Sequence, residues 1–307
     1  MNHYYFCFDI GGTDIKGGIL DEHNNILYQD KIETQKSIQQ STLADVLLNF
    51  ANQLAKTANV TVENCSGFGI GIPGLIDGNL GVIKYSACLN LKDYPLAKEL
   101  KKHIKVPIKI ANDAELATLA EMYYGNGKNR SSFALLTIGT GIGCGIVIKG
   151  VSIRQINPFA CEFGHNFASF SNDVEYEQIA STKALILQTK EAMKQNKNSK
   201  MWTKYNLDSV CGETIFEFKD ADETARQVFE NYIKNLGDGI VNLYNTFAPQ
   251  VIILGGGISA QKSKLTAPLE TYVNKHIFTK NISNKVHITT SKFLNGAGLV
   301  GVKCLFN

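Results

Sequence analysis

The 307-residue sequence has no apolar run approaching the ~20 residues that a membrane-spanning helix requires. Its opening residues, Met1-Asn2-His3-Tyr4-Tyr5-Phe6, show no basic segment, long apolar stretch or cleavage site, so no secretory leader is expected and a cytoplasmic location is. Dense Lys/Arg blocks are also missing, and a formal net charge of +3 is too weak to point to nucleic acid. The seven cysteines (Cys7, Cys65, Cys88, Cys144, Cys161, Cys211 and Cys304) are odd in number and scattered, several of them in apolar, strand-like runs. That argues against a disulfide framework and suits reduced, mostly buried thiols. The P-loop pattern GxxxxGK[ST] is absent, because Gly127-Lys128 is followed by Asn129. A GxGxxG does occur at Gly69, Gly71 and Gly74. It fails as a dinucleotide motif, since Pro73 stands where a helix should open and Leu75-Ile76-Asp77-Gly78 reads as a turn.

What is present is a soluble globular composition, 44% hydrophobic and 19% charged. The length suits about two domains of roughly 150 residues each. Tyr4 to Asp9 reads as a buried strand, Gly11-Gly12 as an elbow and Ile15 to Leu20 as the returning strand. Leu43, Val46, Leu47, Phe50 and Leu54 give helical periodicity over Thr42 to Ala58. Gly67 to Ile72 is an apolar strand closed by Pro73-Gly74, and Ile108 to Ala111 a short strand running into a helix at Ala114 to Tyr124. Gly125 to Ser132 is a polar connection. The opening pattern then restarts, with a strand at Phe133 to Ile138, an elbow at Gly139-Thr140-Gly141 and a returning strand at Ile142 to Ile148. This weak internal repeat suggests two related halves, each presenting a loop. Later come helices at Lys183 to Met193, followed by a solvated stretch through Asn198, and at Thr224 to Phe247. A buried strand at Val251 to Leu254 precedes Gly255-Gly256-Gly257 and a further helix. Strands alternating with helices make the fold class α/β.

The chemistry-bearing residues cluster at strand ends. Phosphate binding needs several backbone N–H groups converging on one point, which glycine permits by leaving no Cβ in the way. The elbow at Gly11, Gly12 and Thr13, the elbow at Thr140 and Gly141, and the triple glycine all offer this, and two of them add a hydroxyl. Asp9, ending the first strand, is placed to reach a Mg²⁺–phosphate group. Asn112-Asp113 sits where a strand gives way to a helix, the position at which open α/β sheets bind ligands. Asp113 would there orient a substrate hydroxyl and accept its proton, although Asn-Asp would also serve as a plain helix cap. Glu162, His165 and Glu177 supply the mixed donors and acceptors that sugar hydroxyls need.

Together these segments resemble the ROK family of bacterial sugar kinases and repressors, within the actin-like ATPase superfamily. The resemblance runs nearly end to end. It is carried by Asp9-Ile-Gly-Gly-Thr13 with Lys16, Gly69-Ile-Gly-Ile-Pro-Gly74, Asn90-Leu91, Ala111-Asn-Asp-Ala114 and Thr137-Ile-Gly-Thr-Gly-Ile-Gly143. It continues through Glu162-Phe-Gly-His165, Glu177 with Ala180-Ser181, Ile253-Leu-Gly-Gly-Gly257 and Gly296-Ala297-Gly298. It implies a two-domain actin-like (ribonuclease H-like) fold with an interdomain active-site cleft. The domains expected are residues 1–113 plus a last helix at about 294–307, and residues 114–293. It implies ATP and Mg²⁺ as cofactors, with Asp9, Gly11, Gly12, Thr13 and Lys16, then Thr140 and Gly141, around phosphate and metal. Gly255, Gly256 and Gly257 would border adenosine. Asp113 would be the catalytic base, with Asn90, Asn112, Glu162, His165 and Glu177 on the sugar, and the chain would be a homodimer.

Two departures stand out. Many members hold zinc with the motif histidine and a following CxCGxxGC run, yet Ser169 to Tyr176 contains no cysteine. Structural zinc needs all four ligands, so no zinc site is expected, and packing by Phe167 and Phe170 is expected in its place. Cys161 also stands where a glycine is usual. The function expected is transfer of the ATP γ-phosphate to the 6-hydroxyl of a glucose-type sugar, glucose or a β-glucoside. N-acetylmannosamine is the alternative substrate, and a non-catalytic sugar sensor the alternative of another class. A repressor would carry a helix-turn-helix domain ahead of the phosphate loop, which begins here at Asp9.

Overall fold

The computed structural model describes residues 3–34, 42–169, 172–282, 285–293 and 297–307. In chain order the first elements are β1 (Tyr4–Ile10), β2 (Asp14–Asp21), β3 (Ile26–Glu33), α1 (Leu43–Ala58), β4 (Gly67–Ile72), β5 (Leu75–Asp77), β6 (Val82–Ser86) and β7 (Leu91–Tyr94). Then come α2 (Leu96–Leu100), β8 (Ile108–Asn112), α3 (Asp113–Tyr124), β9 (Ser132–Ile138), β10 (Ile142–Ile148), β11 (Val151–Ser152) and α4 (Ile153–Ile156). The remainder is β12 (Phe167–Ser169), β13 (Asn172–Glu175), α5 (Tyr176–Ala180), α6 (Thr182–Gln195), α7 (Thr214–Phe218), α8 (Glu223–Phe247), β14 (Ile252–Gly255), α9 (Ser263–His276), β15 (Ile288–Thr290) and α10 (Ala297–Cys304).

The chain forms two compact units. The first comprises Met1–Tyr124, Val151–Ala160 and Gly296–Asn307, and the second Gly125–Gly150 and Cys161–Asn295. The boundary expected after residue 113 therefore shifts to Tyr124. The reason is packing: Leu116 of α3 shares a buried cluster with Leu299 and Val302 of α10, which ties α3 to the first unit. Residues 294–296, including Gly296 of the last motif, lie outside the described residues.

In the first unit the sheet order is β3-β2-β1-β4-β8. β1, β2 and β3 form an antiparallel meander, while β1, β4 and β8 run parallel. One face of the sheet is covered by α1, whose Leu43, Leu47, Phe50, Ala51 and Leu54 are buried. Each large side chain so buried contributes about 1.5–3 kcal/mol. Phe8 stacks on Phe68 with ring centroids 4.9 Å apart, locking β1 to β4. Gly17 leaves room for the Phe50 ring, which a Cβ there would approach to 2.6 Å.

β4 accounts for the GxGxxG pattern. Gly67, Gly69 and Gly71 alternate, so all three lie on one side of the strand. Cβ atoms there would collide with Phe306, Val302 and Leu116 respectively. The glycines let the C-terminal segment and α3 lie flat on the sheet, and Gly74, at φ +121°, makes the turn that follows. Leu75 to Asp77 is not the turn that was expected. It is the short strand β5, because pairing with β6 buries Ile76. β5, β6 and β7 make a small separate sheet that the sequence pattern did not announce.

The second unit repeats the plan. β9 and β10 are an antiparallel hairpin, and β14 runs parallel to both β9 and β15. The long helix α8 is capped by Asp222, which accepts the Ala225 N–H at 2.8 Å, and its Gly237 and Gly239 receive the rings of Tyr272 and Tyr176. The Tyr176 hydroxyl donates to the Leu236 carbonyl at 2.7 Å, fastening α5 to α8. After the triple glycine the chain makes a 3₁₀ turn over Gly257–Gln261 before α9 begins.

Gly301 tests the helix packing. A Cβ there would collide with the Leu116 carbonyl of α3. On an open helix Gly→Ala would stabilise by up to about 1 kcal/mol. Gly301→Ala is expected instead to destabilise by about 1–3 kcal/mol in chemical denaturation, because backbone cannot yield as a side chain can. A stabilised variant would show that α10 and α3 are not held this tightly.

Candidate active site

In the first unit the three parallel strands bring Asp9, Pro73-Gly74 and Asn112-Asp113 to one sheet edge. The register sets Asp9 opposite Gly71, and Ile72 opposite Asn112. The elbow after β1 is held from below. Gly11 donates to the Asp14 carbonyl at 2.8 Å, and the Thr34 hydroxyl donates to the Gly11 carbonyl at 2.7 Å. Gly12 and Thr13 at its tip are exposed. Asp9 is half-buried, and loss of hydration pushes its carboxyl pKa up, offset by Lys16 directly opposite on β2. A Cβ on Gly298 would collide with the Asp9 carboxylate, so the glycine at the start of α10 creates the space the acid occupies.

The Asn112 amide is engaged at both ends. Its Nδ2 donates to the Gly74 carbonyl at 2.8 Å, and its Oδ1 accepts the Ala114 N–H at 2.8 Å. Asn112 thus supplies the helix cap of α3 and pins the turn after β4. Asp113, the first residue of α3, accepts the same N–H at 2.9 Å. Its carboxyl keeps a face open to solvent while protein atoms crowd the rest. Its pKa is raised, first by that desolvation and then by the Asp9 charge, against the opposing pull of the Ala114 N–H and of Arg154. Asn90 is exposed, in left-handed backbone at φ 51°, just before β7.

The sequence reading passed over Arg154, Glu115 and Ser152. Arg154 on α4 is only 6% exposed and donates to the Pro158 carbonyl at 3.4 Å. Glu115 is buried, accepts the Ser152 hydroxyl at 2.7 Å, and has its pKa raised by burial. A cavity of about 410 Å³ adjoins Asn112, Glu115 and Arg154. The one available signal was a charged residue inside the apolar run Val151-Ser152-Ile153-Arg154.

In the second unit the elbow after β9 is closed by the Gly139 N–H donating to the Gly141 carbonyl at 2.9 Å. Thr182 and Lys183, opening α6, bond the carbonyls of Ile138 and Gly139. Thr140 is exposed at the tip. Gly255 lies opposite Thr137, so the triple glycine and the elbow share the carboxyl end of the parallel pair β9/β14. Gly256 adopts φ +83°, and a Cβ there would collide with the Ile138 carbonyl.

The remaining predicted residues of this unit also come together. The Glu177 carboxylate accepts the Ile142 N–H at 3.1 Å, directly after the elbow. Cβ atoms on Gly141 and Gly164 would crowd that carboxylate, the first by collision and the second at 3.0 Å. His165 follows Gly164, and its Nδ1 lies 3.2 Å from Glu175 Oε2, a partner the sequence reading missed. Its pKa is raised, first by the Glu175 bond and further by Glu177, Glu175 and Glu162 through their charge. Glu162 is exposed, two residues before Gly164.

The ROK family model matches residues 5–307. The chain belongs to the ROK family. A glucokinase of Halalkalibacterium halodurans is 28% identical over 98% of this chain and 94% of its own length. A beta-glucoside kinase of Listeria innocua is 30% identical over 96% of this chain and 94% of its own. The ROK family glucokinase of Streptomyces griseus, solved with glucose and AMPPNP, superposes with a TM-score of 0.82 at 24% identity, covering 98% of each chain. The fold is thus the actin-like α/β architecture of the ROK sugar kinases.

Two details of this ROK chain bear on its departures from the family pattern. First, Phe167, expected to pack near the sugar pocket, is 60% exposed on the β12–β13 hairpin. Phe163 packs against Tyr176, edge to face at 5.6 Å, and Phe170 lies outside the described residues. Among the described residues, the His/Cys/Asp/Glu group with ligand atoms all within 4.8 Å of one another is His165, Glu175 and Glu177. It contains no thiolate, and the Glu177 carboxylate accepts the Ile142 N–H. Second, Cys161 has φ 66°, the left-handed region where a Cβ costs about 1–2 kcal/mol. That backbone accounts for the usual glycine. Cys161→Gly is expected to raise the melting temperature by a few degrees. An unchanged or lower value would mean that contacts of the thiol outweigh the strain.

Proposed function

We propose that this protein is an ATP-dependent kinase that phosphorylates the 6-hydroxyl of a glucose-type sugar, glucose or a β-glucoside. The observation that carries the reading is Asp113, a carboxylate of raised pKa at the end of a parallel strand beside a buried cation, Arg154. A base with a raised pKa holds a proton more readily, so Asp113 would take the proton of the sugar hydroxyl as its oxygen attacks the γ-phosphorus. Phosphoryl transfer asks mainly for positioning and charge stabilisation. Gly12, Thr13, Thr140 and Gly141 would offer amide and hydroxyl donors to phosphate oxygens, and Gly255 to Gly257 would border the adenosine. Lys16 lies beside Asp9 and would add positive charge there.

The Asp9 carboxylate, poorly hydrated and offset by Lys16, suits a hard cation held together with phosphate. Mg²⁺ bound there would neutralise charge developing on the transferred group. Asn90, Glu162, His165 and Glu177 would hold sugar hydroxyls, and Asn112 would act through the cap it provides to α3. No zinc is assigned. A cytoplasmic homodimer is the assembly proposed. Four of the seven cysteines are buried and all are free, and no helix of the described residues is long and apolar enough to cross a membrane.

ADP release in the presence of Mg²⁺ tests this against glucose, a β-glucoside such as cellobiose, N-acetylmannosamine, N-acetylglucosamine, mannose, fructose and allose. Turnover on glucose or cellobiose is expected. Turnover confined to N-acetylmannosamine would move the substrate, and binding without turnover would favour a sensor. Asp113→Asn is expected to lower kcat by roughly 10²–10⁴-fold with little change in sugar binding. Because the Asp113 pKa is raised, the acid limb of the wild-type kcat/KM profile should lie above the ordinary aspartate range, with activity falling as pH drops through it. An acid limb at the usual aspartate value, or an active Asp113→Asn enzyme, would refute the base.

A further inference from the structure

His165 carries one described protein contact on its ring, the bond from Nδ1 to Glu175. Glu175 is itself tightly placed. It ends β13 and is the N-cap of α5, where Gln178 Oε1 accepts its backbone N–H at 3.0 Å in a capping box. It pairs with Phe167 across the hairpin, and the next residue, Tyr176, donates its N–H to the Asn166 carbonyl at 2.8 Å. The hairpin and the cap therefore return the chain so that Glu175 meets a histidine ten residues earlier. Glu177, two positions on, is committed to the Ile142 N–H. Glu175 thus serves the imidazole and, through the capping box, the first turn of α5, while Glu177 serves the elbow.

A carboxylate at Nδ1 determines where the imidazole proton sits. Above the raised pKa of His165 the ring is neutral, carries its hydrogen on Nδ1 and keeps the Nε2 lone pair as an acceptor; below it both nitrogens donate. We infer that Glu175 is a positioning residue of the sugar site, holding His165 in the Nδ1–H tautomer so that Nε2 accepts a hydrogen bond from a substrate hydroxyl. This rests on the reading of the site given above. It gives the side chain that orients His165 in a chain whose residues 169–176 contain no cysteine. The bond selects hydroxyl donors, and a sugar lacking the matching hydroxyl leaves Nε2 unpaired.

Two readouts test it. Two-bond ¹H–¹⁵N spectra of the sugar-free protein, assigned with His165→Gln, report the imidazole tautomer at alkaline pH. The wild type is expected to be mainly Nδ1–H, and Glu175→Ala to shift toward Nε2–H. A wild type mainly in the Nε2–H form would overturn the inference. In steady-state kinetics Glu175→Ala is expected to raise the sugar KM about tenfold, with kcat and the KM for ATP within about twofold. Glu175→Gln, which keeps an acceptor for Nδ1–H, should recover most of the loss. Placed on His165→Ala, Glu175→Ala should add nothing. An equal further rise in KM there would mean that Glu175 acts only through the hairpin and helix cap. One zinc per chain, lost in Glu175→Ala, would also overturn it, since the metal rather than the carboxylate would then hold Nδ1. A wild type silent on every sugar would sink the kinase reading, while the tautomer spectra would still decide the pair.

Discussion

Two carboxylates occupy spaces that a single methyl group would fill. Asp9 sits against Gly298, and Glu177 against Gly141 and Gly164. A carboxylate can act on a ligand only if it is held in place and not replaced by packing, and a close-packed interior leaves no spare volume. Glycine resolves the conflict by giving up its own side-chain volume. The same device seats α10 and the C-terminus on β4 through Gly67 and Gly69, and brings α10 against α3 at Gly301. Among the described residues, Gly67, Gly69, Gly71, Gly141, Gly164 and Gly298 act by leaving room, while Gly74 and Gly256 also supply an unusual backbone angle.

The electrostatics follow from the same crowding. Asp9 and Asp113 lie on one sheet edge, each short of hydration and each with a raised pKa. Each has a cation near it, Lys16 for Asp9 and Arg154 for Asp113. Desolvation favours the protonated acid and a neighbouring cation favours the carboxylate, so the two influences oppose each other. In the second unit the same two influences act on a base. The bond to Glu175 and the charges of Glu177, Glu175 and Glu162 raise the His165 pKa, against the opposing pull of desolvation.

Much of this was readable in the linear order of residues. Strands at 4–10, 67–72 and 132–138 are dense apolar runs, and α1 and α8 carry a 3.6-residue period over many turns. The glycine elbows and Asp113 fall at the ends of such runs, so their position at a sheet edge follows from local pattern alone. Other features gave no such signal. Leu75 to Asp77 reads as a turn until β6 supplies its pairing partner. Phe167 reads as core until the hairpin leaves it exposed. Glu175 is one acid among several until the same hairpin carries it to His165. Asn112 reads as a ligand or a cap with equal ease, and the bond to Gly74, 38 positions away, is visible only in three dimensions.

The sequence by itself determined the α/β class, the duplicated strand–elbow–strand plan, the family and the sheet-edge position of Asp9 and Asp113. These depend on hydrophobic period and glycine placement, which act over a few residues. Tertiary structure alone decided which glycines make room for which carboxylates, that α3 belongs to the first unit, and that Glu175 holds His165. Those outcomes depend on volumes and charges contributed by segments far apart in the chain, and the order of residues does not encode distance until the backbone closes on itself.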